Sequence, residues 1–385
     1  MSELIQKNDN RIAIRWNLLT GVSALVLTAH IALSQAAQAE DTDRPTMWIE
    51  LGGQLSTLQD SVASFNPPLQ AHRPSNFDPS QKFEKQPGHS FDEFGEISIE
   101  PSGSDWVFSA SVQYGRAGSN KHVQQQTNPE PMKYFASAPA LGVPVAQRFA
   151  QTTVKTREQH LVLDFTAGKD VGLGLFGKGD STSVISAGVR FAQFVSSANI
   201  SLKSDPDWQF HTKYLAAFQA TISNGQMFHT NLASLVAERS FTGVGPSLSW
   251  KSSQQLSGNS RDAALMLDWG VKGAILFGRQ KSRTHHQSTG RYFNLSSRPI
   301  LTKTVVPHTT ARGPATPDHT RSRSVTVPNI GAFAGLSVKY PNAKLSIGYR
   351  ADFFFGAMDG GIDARKTYDR SFYGPFATVS IGVGG

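Results

Sequence analysis

The chain contains no cysteine. Disulfide frameworks and thiolate metal sites are therefore excluded. Beyond the first 40 residues no apolar run approaches the roughly 18–20 residues that a membrane helix needs, and only 39% of the 385 residues are hydrophobic. A helical membrane protein is thereby excluded. Nucleic-acid-binding motifs are also missing, so the net charge of +8 points to anionic lipid or anionic solutes rather than to DNA or RNA.

What is present is alternation. In Asp262 to Arg279, every second residue from Ala263 (Leu265, Leu267, Trp269, Val271, Gly273, Ile275, Phe277) is apolar or lacks a side chain, and Asp268 and Lys272 fall between them. A helix would mix the two sets around its circumference; a strand sends them to opposite faces. One oily face and one charged face are the pattern of a strand between lipid and a polar lumen. The pattern recurs. Trp106, Phe108, Ala110, Val112 and Tyr114 alternate with Ser109, Ser111 and Gln113. Leu161, Leu163, Phe165 and Ala167 oppose His160, Asp164 and Thr166, and Leu345, Ile347, Tyr349, Ala351 and Phe353 oppose Ser346, Arg350 and Asp352.

These segments predict strands near 46–58, 93–100, 105–116, 156–168, 182–196, 236–250, 262–279, 325–340, 344–356 and 371–383. The connections 59–92, 117–155, 197–235, 280–324 and 357–370 are long and alternate with short turns, as in outer-membrane barrels. The expected fold is all-β: a transmembrane antiparallel β-barrel of about ten strands, or twelve if Tyr214 to Ile222 forms a further hairpin. Aromatic girdles are expected from Trp48, Trp106, Tyr114, Trp250, Tyr340, Tyr349, Phe372 and Tyr373. A water-soluble β-structure with its oily face inward is the competing reading.

Residues 1–39 have the features of an export signal, with an uncleaved membrane anchor as the alternative: Lys7, Arg11 and Arg15, an apolar stretch from Trp16 to Leu33, and Ala37-Gln38-Ala39 before Glu40. Residues 40–385 form the expected barrel domain in a bacterial outer membrane. The residues expected to line its lumen are Glu50, Glu96, Glu100, Asp164, Arg190, Asp268, Lys272, Lys339, Arg350 and Asp352, with His160. Ten strands lie nearer the filled eight-stranded limit than the open sixteen-stranded one, so the lumen should be narrow and laced with charge.

Other motifs are read as bland. Gly172-Leu-Gly-Leu-Phe-Gly-Lys178 nearly matches a phosphate-binding loop, but the following segment alternates as a strand and offers no helix N-terminus. Gly179-Asp180-Ser181 lacks the elbow of a serine hydrolase. His285, His286, His308 and His319 have no metal-ligand spacing. No cofactor, metal or enzymatic role is expected. With Arg279 at its base, the 280–324 segment carries Lys281, Arg283, Arg291, Arg298, Lys303, Arg312, Arg321 and Arg323 and is expected to be a basic surface loop, either simply solvated or paired with lipopolysaccharide phosphates.

Phe241-Thr-Gly-Val-Gly-Pro246, the following strand with Leu267-Asp-Trp-Gly270, and Phe372-Tyr-Gly-Pro-Phe376 resemble the Legionella-type major outer-membrane protein family. The resemblance covers the C-terminal third and implies a pore-forming, porin-like barrel; it supplies no site residues. It departs at Ser247, where the family has arginine, and at the Gly384-Gly385 end, which lacks a terminal aromatic residue. The expected function is passive passage of small solutes or ions; a plugged barrel with a binding, adhesive or structural role is the alternative. The expected partners are outer-membrane lipid, lipopolysaccharide, small solutes and the barrel-insertion machinery.

Overall fold

The computed structural model describes residues 47–59, 89–101, 104, 106–118, 122–128, 148–171, 182–205, 212–215, 220–223, 226–259, 262–294, 306–312, 318–362 and 364–383. The signal segment 1–39, the glycine-rich 172–181, Arg298 and Lys303 lie outside them.

The strands are β1 (Met47–Gln59), β2 (Ser90–Ile99), β3 (Trp106–Gly118), β4 (His122–Asn128), β5 (Arg148–Asp170), β6 (Thr182–Asp205), β7 (Thr212–Leu215), β8 (Ala220–Ser223), β9 (Gln226–Asn259), β10 (Ala263–Asn294), β11 (Val306–Arg312), β12 (His319–Lys339), β13 (Ala343–Asp359) and β14 (Thr367–Val383). Ten of them close a ring in the order β1-β2-β3-β5-β6-β9-β10-β12-β13-β14, with β14 returning to β1. Neighbours in the ring are antiparallel. β4 and β11 are short additions on β5 and β10. The segment 214–222 does form a hairpin, but β7 and β8 pair only with each other and β6 passes directly to β9. The barrel therefore has ten strands, not twelve.

Side chains alternate as the pleat requires. Leu265, Val271, Ile275 and Phe277 of β10 are exposed on the outer wall, while Ala264, Met266, Asp268, Ala274 and Leu276 are buried inside. On β12 the outer face runs Pro328, Ile330, Ala332, Ala334, Leu336 and Val338 and then turns polar at Thr326, Ser324 and Ser322. Eleven residues on a tilted strand make a belt about 25 Å tall, the height expected of a lipid-facing band. Trp106, Tyr114 and Tyr340 are exposed near strand ends. The girdle expected from sequence needs correction at three other members. Phe372 is buried inside, Trp48 shares the interior-facing parity of Glu50, and Tyr349 lies well inside its strand.

The strands also run further than the apolar pattern suggested. The segment 280–324, expected to be a loop, is mostly ladder: β10 continues to Asn294 and pairs with β9, β11 and β12. Above the belt the outer residues no longer need to be oily, so apolar alternation stops while backbone pairing goes on.

Three prolines interrupt the ladders, because each lacks the N–H the neighbour would receive. The β9–β10 pairing skips from Ser247 to Val244 around Pro246. The β1–β14 pairing skips from Phe376 to Tyr373 around Pro375. β12 leaves β13 one residue from Pro328, at the last shared pair Asn329–Phe354.

Candidate conduit: the barrel lumen

The interior is filled by side chains in successive levels. At the short-turn end, Lys251 Nζ lies 2.5 Å from Glu96 and Lys344 Nζ lies 2.8 Å from Asp268. Asp268 also accepts a hydrogen bond from Ser253 Oγ, and Glu50 accepts one from Ser380 Oγ. Lys339 faces Lys344 across the β12–β13 ladder. Glu100 is exposed beyond the end of β2, at the rim rather than in the lumen.

Above this level Arg190 forms a two-pronged contact with Asp164, Nε at 2.6 Å and Nη2 at 2.7 Å. The same guanidinium donates to Asn329 Oδ1 and approaches Asp352 at 3.9 Å, while Lys272 Nζ lies 3.0 Å from Asp352. Arg350 has no carboxylate in this set. Its guanidinium lies over the rings of Phe94 at 4.3 Å and Phe376 at 4.9 Å, where the ring faces attract the cation. Each arginine stands beside a glycine on the next strand, Arg190 by Gly245 and Arg350 by Gly374. A methyl on either glycine would sit 1.9 Å from a neighbouring carbonyl oxygen, Ile275 or Leu55. The two Gly-Pro pairs thus let adjacent backbones close in beside a bulky cation.

Asp92 gathers Ser56, Ser90 and Gln113 and lies 3.1 Å from His160 Nε2. Further from the short turns the interior becomes apolar. Phe194, Phe241, Phe354, Phe372, Leu58, Leu276 and Val327 form one buried cluster. Phe194 stands 5.5 Å from Phe372 and 4.7 Å from Phe354 by ring centroids, and His160 stands 3.9 Å from Phe372. β6 and β14 are five strands apart in either direction around the ring. The Phe194–Phe372 contact therefore crosses the full lumen and closes it with side chains.

Beyond the aromatic level lies the ion pair Glu158–Arg370, 2.8 Å apart, with both side chains at most 2% exposed. Ser196 Oγ donates to Glu158 as well. The mouth is then capped by the β13–β14 connection. Arg321 donates to Asp359 Oδ2 and to the carbonyls of Gly361 and Ile362. Arg239 donates to the Gly360 carbonyl and Thr284 Oγ1 to that of Ile362. Ile362 packs on Val154, Ile200, Leu202, Ala233 and Leu235 of the far wall. The expected surface loop 357–370 is thus a short connection folded inward.

Burial alone would raise the Asp359 carboxyl. Arg321 and the backbone N–H groups of Gly361 and Lys366 instead hold it below the usual carboxylate range. A lowered folded value means this tether is complete above about pH 4 and is lost as pH falls through that value. Asp359→Asn should therefore let trypsin cut after Arg365 or Lys366 several-fold faster in detergent-solubilised protein, read by mass spectrometry. Unchanged cutting would mean that Ile362 and Arg239 hold the cap without the carboxylate.

Arg279, Lys281 and Arg283 project from the outer wall above the belt, and Arg283 pairs with Asp318, whereas Arg323 has the interior parity of Arg321 and Val327 but is exposed at the β12 edge that β13 leaves. Arg321 instead turns inward to the cap. The side chains of Arg291 and Arg312 lie outside the described residues, although both positions are in strands. His285 faces out beside Asp318 at 3.2 Å, whereas His286 is buried inside. The strand sends these two neighbours to opposite faces.

Sequence reasoning missed the aromatic level, though a signal existed. After Arg190, Lys272 and Asp352, the charged parity of each strand turns apolar, at Ala192 and Phe194, at Ala274 and Leu276, and at Phe354. Three strands making the same switch mark one closed storey of the lumen.

No family model and no curated protein matches the chain. Among solved structures it is similar to a "TodX deltaS2S3 mutant monoaromatic hydrocarbon channel", with a TM-score of 0.22 and 9% identity over 88% of this chain and 91% of that one. A likeness at that score bears on neither solute nor mechanism.

Proposed function

We propose that this chain is an outer-membrane channel passing small solutes or ions passively, in a closed state here. One observation carries the reading. The closure consists of a few side chains and a short inward connection, with paired charges on both sides of it. Such a seal opens by rotamer changes and release of the cap, without moving the wall. Hydrophobic constrictions between charged levels gate by excluding water. Arg239 on one side of the seal is held by a backbone carbonyl and Arg350 on the other by aromatic rings rather than by carboxylates, which favours anions. The family resemblance in Phe241-to-Pro246 and Phe372-to-Phe376 supports a pore as well, and both motifs contribute a phenylalanine to the seal.

Conductance in a planar bilayer tests this. The native chain should give small, intermittent, anion-preferring events, and Phe194→Ala with Phe372→Ala should raise open time or conductance several-fold. A correctly folded double variant that stays silent would show a plugged barrel with a structural or binding role.

A further inference from the structure

The wall parts between two strands on the side away from the short turns. β12 and β13 pair from Lys339–Lys344 up to Asn329–Phe354 and no further. Beyond that point β12 continues to His319 against β10 alone. β13 is turned aside at Gly356, whose φ of 67° suits a residue without Cβ. Its pairing with β14 shifts register between Phe354 and Met358. One edge of β12 over 319–328 therefore has no ladder partner among the described residues.

A cavity of about 610 Å³ occupies this parting, lined by Phe277, Val325, Thr326, Arg323 and Arg365 among others. Its position is specific. Phe277 is the last apolar outer residue of β10 and is followed on that face by Arg279; Pro328 is the last on β12 and is followed by Thr326 and Ser324. The cleft thus passes through the wall at the upper edge of the oily belt: Phe277 lies on its outer side, while Val325 and Arg323, which share the interior parity of Val327, border it along the β12 edge that β13 leaves uncovered. Arg323 and Arg365 are exposed and have no acidic partner among the described residues. The nearby Asp369 is engaged by the Gly356 N–H at 2.7 Å, and Arg279 donates to Ser322 Oγ at 2.7 Å.

We infer that this lateral cleft binds a phosphorylated lipid of the outer leaflet. Its phosphate sits between Arg323 and Arg365, and its first acyl carbons lie against Phe277 on the outer side of the gap. Arginine forks match phosphate oxygens, and the apolar floor holds a chain that a free anion lacks. The inference rests on the membrane placement proposed above but not on conduction.

The full mature chain, refolded in neutral detergent, is titrated with diphosphoryl lipid A and followed by native mass spectrometry. One lipid per chain should bind. Arg323→Gln with Arg365→Gln should weaken binding by at least about tenfold. Lys155→Gln with Arg157→Gln, an equal charge change on exposed residues of β5, should leave it unchanged. Millimolar inorganic phosphate should not displace the lipid. Heat-modifiable gel mobility confirms that both variants fold. Equal weakening in both variants, or none in the first, overturns the proposal. Displacement by inorganic phosphate would make the cleft a plain anion site. Chain dimers that vanish in the first variant while lipid binding persists would assign the open β12 edge to a second copy of the chain. The assay needs no current, so a non-conducting barrel leaves it valid.

Discussion

Arg190→Met should cost about 3–5 kcal/mol of barrel stability, the range found when one partner of a buried ion pair is removed. The guanidinium is 2% exposed and serves Asp164, Asn329 and Asp352 together. Asp352 would keep Lys272, but Asp164 would lose both prongs of its contact. Arg190→Met with Asp164→Leu should recover most of the loss, because no charge is then left without its partner. Equilibrium unfolding of the refolded proteins in urea measures both. A single-variant cost under about 1 kcal/mol would mean that water already screens this level, and the lumen would be wet and open rather than sealed.

Val271→Arg should cost about 2–4 kcal/mol, the penalty for arginine at the lipid-facing midplane of a barrel. Met266→Arg should cost clearly less. Val271 lies on the outer face of β10 with Leu265, Ile275 and Phe277 and faces Ala332, midway along the belt. Met266 points inside and precedes Asp268 by two residues on the same face, so a cation there has a carboxylate nearby. Unfolding in lipid vesicles compares the two. Equal costs, or the reverse order, would show that the outer face does not meet lipid, and the water-soluble reading of the alternation would then stand.

The local pattern in the sequence was enough for an antiparallel barrel and for the parity of its charged lumen residues, while the choice between ten strands and twelve depended on β6 passing directly to β9. Period-two alternation is a property of consecutive side chains, and each strand states which of its residues share a face. Glu50, Glu96, Asp164, Arg190, Asp268, Lys272, Lys339, Arg350 and Asp352 all carry the interior parity read from it. Several features were beyond its reach. The 280–324 segment read as loop because its outer residues are polar, yet its backbone pairs with strands distant in sequence. Which charges meet depends on strands several places apart in the ring, as with Lys251 and Glu96 or Arg370 and Glu158. The Phe194–Phe372 seal, the inward cap at Ile362 and the parting of β12 from β13 are likewise non-local. Each is set by the closure of the barrel and the stagger of its strands, which decide what faces what across the lumen; residues that share a parity carry no information about the height at which they meet.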